Sequence, residues 1–191
     1  MSNLISKTRV LENESRRPLV VGVFQNESSD QIRHVVETVG LDLVQLHGRE
    51  GMEACSACGV PAIRVVHIEA STDGEDNGKT SQERADAIIN SLTGDPVAIL
   101  LDTSVKGVQG GTGVTFDWDV ATNLQNSGLP VLVAGGLNAQ NVPKVVTDVR
   151  PWGVDVSSGV EGDNVGKKDV DAVDKFVKGA RSAALEAQKG F

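Results

Sequence analysis

The sequence predicts an α/β protein built on a parallel sheet, and three observations carry that reading. Short apolar β-branched runs recur along the chain, amphipathic helical patterns separate them, and the alternation repeats six times. Runs of this kind suit strands buried on both faces, as parallel strands are. The 191 residues, 39% hydrophobic and 23% charged, are enough for one domain with a sizeable core.

The first 18 residues show weak periodicity (Leu4, Ile5, Val10, Leu11) and read as a helical leader. Strands follow at 19–24 (LVVGVF), 43–46 (LVQL), 62–66 (AIRVV), 97–101 (VAILL), 131–134 (VLVA) and 153–156 (GVDV). After the first strand, Ser28, Ser29 and Asp30 offer N-caps to a helix carrying Ile32, Val35, Val36 and Val39, and Gly40 stops it. A second pattern spans 81–92, with Ala85, Ile88 and Ile89 on one stripe. Asn138 is expected to cap a helix holding Val142, Val145 and Val146. The last helix starts near Lys168 and carries Val170, Val173, Phe176 and Val177. Segments 71–81 and 105–115 read as loops beyond strand ends, where α/β proteins place their chemistry.

The formal charge of −8 disfavours nucleic acid and anionic membrane surfaces as partners. No apolar run approaches the roughly 20 residues that cross a bilayer, and the N-terminus lacks a signal-peptide apolar region. With only Cys55 and Cys58 and no disulfide framework, a cytoplasmic location is the default expectation.

Two turns point to a phosphorylated ligand. In VLVAGGLNAQNV (131–142) a buried strand runs into Gly135-Gly136 ahead of a capped helix, so backbone amides and the helix dipole face an anion. By itself a Gly-Gly pair is equally a tight strand-to-helix turn. The next strand repeats the arrangement in GVDVSSGVEG (153–162), where Ser157 and Ser158 add hydroxyls beside Gly159. In eight-stranded barrels, the loops after the last two strands hold phosphate in this way. In AILLDTSVKGVQGGTGVTFDW (98–118), Asp102 ends a hydrophobic strand, where partial desolvation suits a general acid, although a loop or capping aspartate fits the same pattern. The glycines after it fit a lid.

Taken together, LDLVQLHGRE, LLDT with GGTGVTFDW, VLVAGGLNAQNV and GVDVSSGVEG, preceded by VVGVFQN, resemble phosphoribosylanthranilate isomerase of tryptophan biosynthesis over about residues 19–178. The resemblance implies a TIM (β/α)8 barrel, here as a single domain with strands three to eight of the family, an incomplete barrel. It implies an aldose-ketose type isomerase that converts N-(5′-phosphoribosyl)anthranilate to 1-(2-carboxyphenylamino)-1-deoxyribulose 5-phosphate by Amadori rearrangement, with no cofactor or metal. Asp102 is then the general acid. Gly135, Gly136, Ser157 and Ser158 bind the substrate phosphate, Gln45, His47 and Asp155 line the pocket, and Gly110, Gly111, Thr112 and Gly113 form the lid.

The departure lies at the start. The family opens with a K-x-C-G strand whose cysteine is the general base, then a second strand and an arginine-bearing loop, and none of these is in this sequence. Cys55 and Cys58, in EACSACG, fall about one helix beyond a strand and are expected on the outer layer. His47 reads as a pocket residue or a strand cap. Arg64 and His67 are not assigned to the site, and Asp102, His47, His67 and Asp155 are not read as a metal set. Impaired catalysis and self-association through open sheet edges are expected. The alternatives are a non-catalytic phosphate-binding remnant, or another sugar-phosphate barrel enzyme.

Overall fold

The computed structural model describes residues 17–50, 53–69, 79–92, 95–104 and 118–189. Six strands, all parallel, lie side by side in chain order: β1 (Val21–Phe24), β2 (Leu43–Leu46), β3 (Ala62–Glu69), β4 (Ala98–Ser104), β5 (Val131–Val133) and β6 (Gly153–Val154). The helices between them are α1 (Ser29–Val39), the single turn α2 (Ala54–Ala57), α3 (Ser81–Ser91), α4 (Asp119–Asn126) and α5 (Val142–Val149). A 3₁₀ turn (Ser158–Val160) and α6 (Val170–Lys189) complete the chain. This is the predicted α/β order, and among the described residues β1 and β6 are the sheet's two edges.

Local sequence explains where the helices begin. Ser28 and Gln31 form a reciprocal capping box on α1, and Thr80 and Glu83 form another on α3. Gly40 stops α1 in the left-handed conformation, φ 75°. Asn138 behaves differently from expectation. Its side chain accepts from the Gln140 and Asn141 amides and closes a turn, so α5 starts at Val142 behind Asn141.

Strand periodicity separates two packing faces. Ile99 and Leu101 of β4, with Val131 and Val133 of β5, pack under α3 to α6. On β2, Val44 and Leu46 pack under α1 and α2 with Ile32, Val36, Cys55 and Cys58. The alternate residues Leu43, Ile63, Val65, Ala98 and Leu100 form a separate cluster on the opposite face. That inner face leads upward to the strand ends and sets the site.

Three expectations fall outside the described residues: most of the 1–18 leader, most of the 71–81 loop, and the Gly110, Gly111, Thr112 and Gly113 lid. Arg17 is described, and its guanidinium is bonded to the Asp42 carboxylate. That contact and the Val20 amide hold the Asp42 carboxyl down at about 2. No helix among the described residues is long and apolar enough to cross a membrane.

Candidate active site

Strand alternation brings the titratable residues to one place. On β2, Leu43 points inward, so Gln45 and His47 follow on the same face. The His47 amide donates to the Phe24 carbonyl and continues the ladder one residue past the strand. β3 runs three residues beyond the predicted 62–66, and this extension pairs His67 with Asp102 of β4. The Asp102 carboxylate therefore sits between two imidazoles. His47 Nε2 lies 3.7 Å and His67 Nδ1 3.8 Å from Asp102 Oδ2. The two rings meet edge to face with centroids 5.0 Å apart. Asp102 keeps 24% of its side chain exposed, so a ligand at the strand ends can reach it.

Asp155 follows β6 and is close enough to feel Asp102. The surrounding protein mass, together with the Asp102 charge, pushes its carboxyl above the ordinary carboxylate range, against the opposing pull of His47 and Lys168. Its side chain is open to water on one side, and that solvent screens part of the repulsion.

The two glycine turns follow β5 and β6, at the same end of the parallel sheet as this cluster. Gly135 and Gly136 both take left-handed backbone, φ 77° and 63°, and their amides are engaged by no other described residue. Asn141 braces the turn, donating from Nδ2 to the Gly136 carbonyl while its Oδ1 accepts from the Asn138 amide. The Ser157-Ser158-Gly159 turn packs straight against it. A Cβ on Gly159 would lie 1.8 Å from the Leu137 carbonyl oxygen, so only glycine permits the approach. Lys168 closes the far side, with Nζ 2.9 Å from the Ser157 carbonyl, 3.3 Å from its Oγ and 2.8 Å from Glu161 Oε1.

The HGRE segment has a structural task. Glu50 accepts from the Asn26 and Gly48 amides and from Arg64, tying the loop after β1 to the loop after β2. Burial opposes ionisation of Glu50, but these donors outweigh it and hold the carboxyl below its usual range. Arg64 also donates to the Leu46 and Gly48 carbonyls, so it braces the rim behind the pocket.

Asp102, His47 and Asp155 thus converge, while Gln45 is half-buried on the same strand face. Sequence reasoning left His67 unassigned and missed Lys168. The signal for His67 was the two-residue period counted on from Val65, and for Lys168 a lysine just ahead of the last helix. Cys55 and Cys58 are free and buried on the outer layer, as expected. Desolvation pushes the Cys55 thiol up to about 11.

The model of the N-(5′-phosphoribosyl)anthranilate isomerase family matches residues 4–179. The chain belongs to this family. The isomerase structure from Thermotoga maritima superposes with a TM-score of 0.70 at 32% identity, covering 93% of this chain and 79% of that one. A further isomerase structure, solved with reduced 1-(o-carboxyphenylamino)-1-deoxyribulose 5-phosphate, superposes at 0.66 with 30% identity over 94% and 79% of the two chains. The Myxococcus xanthus isomerase is 46% identical over 173 residues, 90% of this chain and 76% of that protein. The Phytophthora nicotianae tryptophan biosynthesis protein TRP1 is also 46% identical, but the 87% of this chain that aligns corresponds to only 31% of that longer protein.

Proposed function

We propose that this chain carries the phosphate-binding half and the acid of a phosphoribosylanthranilate isomerase site of the tryptophan pathway, in a cytoplasmic protein. The observation that carries the reading is the Asp102 carboxylate, held between two imidazoles at the same end of the parallel sheet as the two glycine turns. The substrate phosphate sits on the Gly135 and Gly136 amides and the Ser157 and Ser158 hydroxyls, with Lys168 supplying positive charge in an acidic chain. Gln45, His47 and Asp155 line the remainder of the pocket, and Gly110, Gly111, Thr112 and Gly113 cover it as a lid.

In the reaction, Asp102 gives its proton to the furanose ring oxygen. The C1′–O bond breaks, and the nitrogen lone pair forms the C=N⁺ bond of the Schiff base. A base then removes the C2′ proton to give an enol amine, which tautomerises to the ketose. The resemblance assigns that second step to a cysteine on a K-x-C-G strand. Cys55 and Cys58 do not substitute for it, because both thiols lie in the outer layer, where burial pushes them above the ordinary thiol range.

The test is a turnover assay of the chain alone and with an added N-terminal βαβ piece of a family member. Turnover is expected only in the second case, and Asp102→Asn should lower it by about 10²-fold or more. The reduced product analogue should bind the chain alone. Absence of that binding would remove the functional reading, and turnover by the unsupplemented chain would remove the claim of a missing base. A non-catalytic phosphate-binding remnant is the second reading, favoured by the burial of both cysteines, and it predicts binding but no turnover in either arm. Self-association through the open edges of the sheet belongs to the same proposal.

A further inference from the structure

The side chains around Asp102 contain more than an acid and its neighbours. The Asp102 carboxylate, His47 and His67 offer three ligand atoms that all lie within 4.8 Å of one another. Two of the separations, 3.7 Å and 3.8 Å, meet at the same oxygen, Oδ2. The three residues come from the ends of three adjacent strands, so the backbone ladder fixes their relative positions.

The hydrogen bonding of His67 gives the cluster a direction. Its Nε2 lies 3.3 Å from the His47 carbonyl oxygen, which only accepts, so Nε2 carries the hydrogen. Nδ1 is then the ring nitrogen turned toward Asp102, 3.8 Å from Oδ2. An ion seated between these two atoms and His47 Nε2 would bridge all three strand ends. The backbone carbonyl on the far nitrogen is also the partner that metal-bound imidazoles use to fix tautomer and ring orientation.

We propose that His47, His67 and Asp102 form a binding site for a divalent transition-metal ion of the zinc or cobalt type. Two imidazoles and one carboxylate are a donor set for such ions, and they leave positions open on the solvent side. Contraction of the triad by a few tenths of an ångström to about one ångström brings each ligand atom to ~2.1 Å from a shared ion. Both imidazoles keep at least 31% of their side chains exposed, so the ion has an entry path and the rings have room to close on it. The consequence for catalysis rests on the function proposed above. A metal on Oδ2 would displace the proton that Asp102 donates, so the ion would act as a reversible inhibitor.

Metal binding is read without substrate, so this proposal and the isomerase assignment fail separately. The full chain, stripped with chelator, is titrated with Co²⁺ and followed by visible absorption, and with Zn²⁺ by calorimetry. The expected result is saturable binding of one ion with nitrogen–oxygen coordination bands. His67→Gln and Asp102→Asn should each weaken it by about tenfold or more. His34→Gln, on the exposed side of α1, should leave it unchanged. No saturable binding, affinity unaffected by His67→Gln, or a thiolate charge-transfer band placing the metal on Cys55 and Cys58 would each overturn the proposal.

Discussion

At position 159 a single methyl group decides whether two turns can meet. The Gly159 α-carbon rests against the Leu137 carbonyl, and an added Cβ would stand 1.8 Å from that oxygen. The obstacle is backbone, which cannot swing aside as a flexible side chain would. Gly159→Ala should therefore part the SSG turn from the GG turn, at a cost of about 2–3 kcal/mol in chemical denaturation. The same variant should weaken binding of the reduced product analogue, because the amides and hydroxyls lose their shared focus. Asp155 presents the reverse case, a residue the fold would be better without. Its carboxyl is raised above the usual range by desolvation and by Asp102. The unfolded chain has no such perturbation, so ionised Asp155 disfavours the native state, and the penalty disappears as pH falls and the group protonates. Asp155→Asn should raise the thermal midpoint, more at about pH 7 than at about pH 4. An unchanged midpoint at both values would refute this account.

The loops after β1 and β2 are held by one carboxylate. Only 3% of the Glu50 side chain is exposed, and it gathers two backbone amides and the Arg64 guanidinium, itself 13% exposed. Removing one partner of such a pair strands the other charge in a poorly hydrated site. Glu50→Gln should destabilise the chain by about 3 kcal/mol, and Arg64→Met by a comparable amount, with a double variant costing less than the sum. Such elements also show what the sequence makes legible. All six strands follow from their apolar runs, α1 from its cap at Ser28 with a periodic stripe behind it, and α3 from its stripe alone, its Thr80 cap being visible only in the structure. Both turns were visible as Gly-Gly and Ser-Ser-Gly after buried strands. The length of β3 was not, because past Val66 the chain turns polar with His67 and Glu69, and only pairing to β4 keeps it extended. That misjudged end is why His67 escaped assignment. Lys168 and the Glu50–Arg64 pair were hidden for another reason: their partners lie 11 and 14 residues away, and no local pattern reports which long side chains will meet.

At the level of the whole molecule, the described sheet ends at β1 on one side and β6 on the other, and the two edges are unequal. Among the described residues β1 offers four residues of unpaired backbone, with Val20, Val21 and Val23 exposed at 51%, 38% and 64%. β6 offers two residues beside the half-exposed Trp152. An unpaired apolar edge is a template for another strand. If β1 met β6 of a second copy, the contact would be heterologous, closing into a ring or propagating as an open filament according to the rotation between copies. If β1 met β1, a two-fold axis would pair the strands antiparallel and close the assembly at two chains. The longer and more apolar edge favours the second arrangement, since a two-residue strand supplies too little ladder to hold a partner. Sedimentation velocity should accordingly show a concentration-dependent monomer–dimer equilibrium without larger species. Val23→Lys should raise the dissociation constant by about tenfold or more, because dimerisation would then desolvate two ammonium groups facing each other. The variant should melt like the parent, since Val23 is already open to solvent in the single chain. A monomer at every concentration, or a ladder of oligomers that Val23→Lys does not disturb, would show that the β1 edge is not where two chains meet.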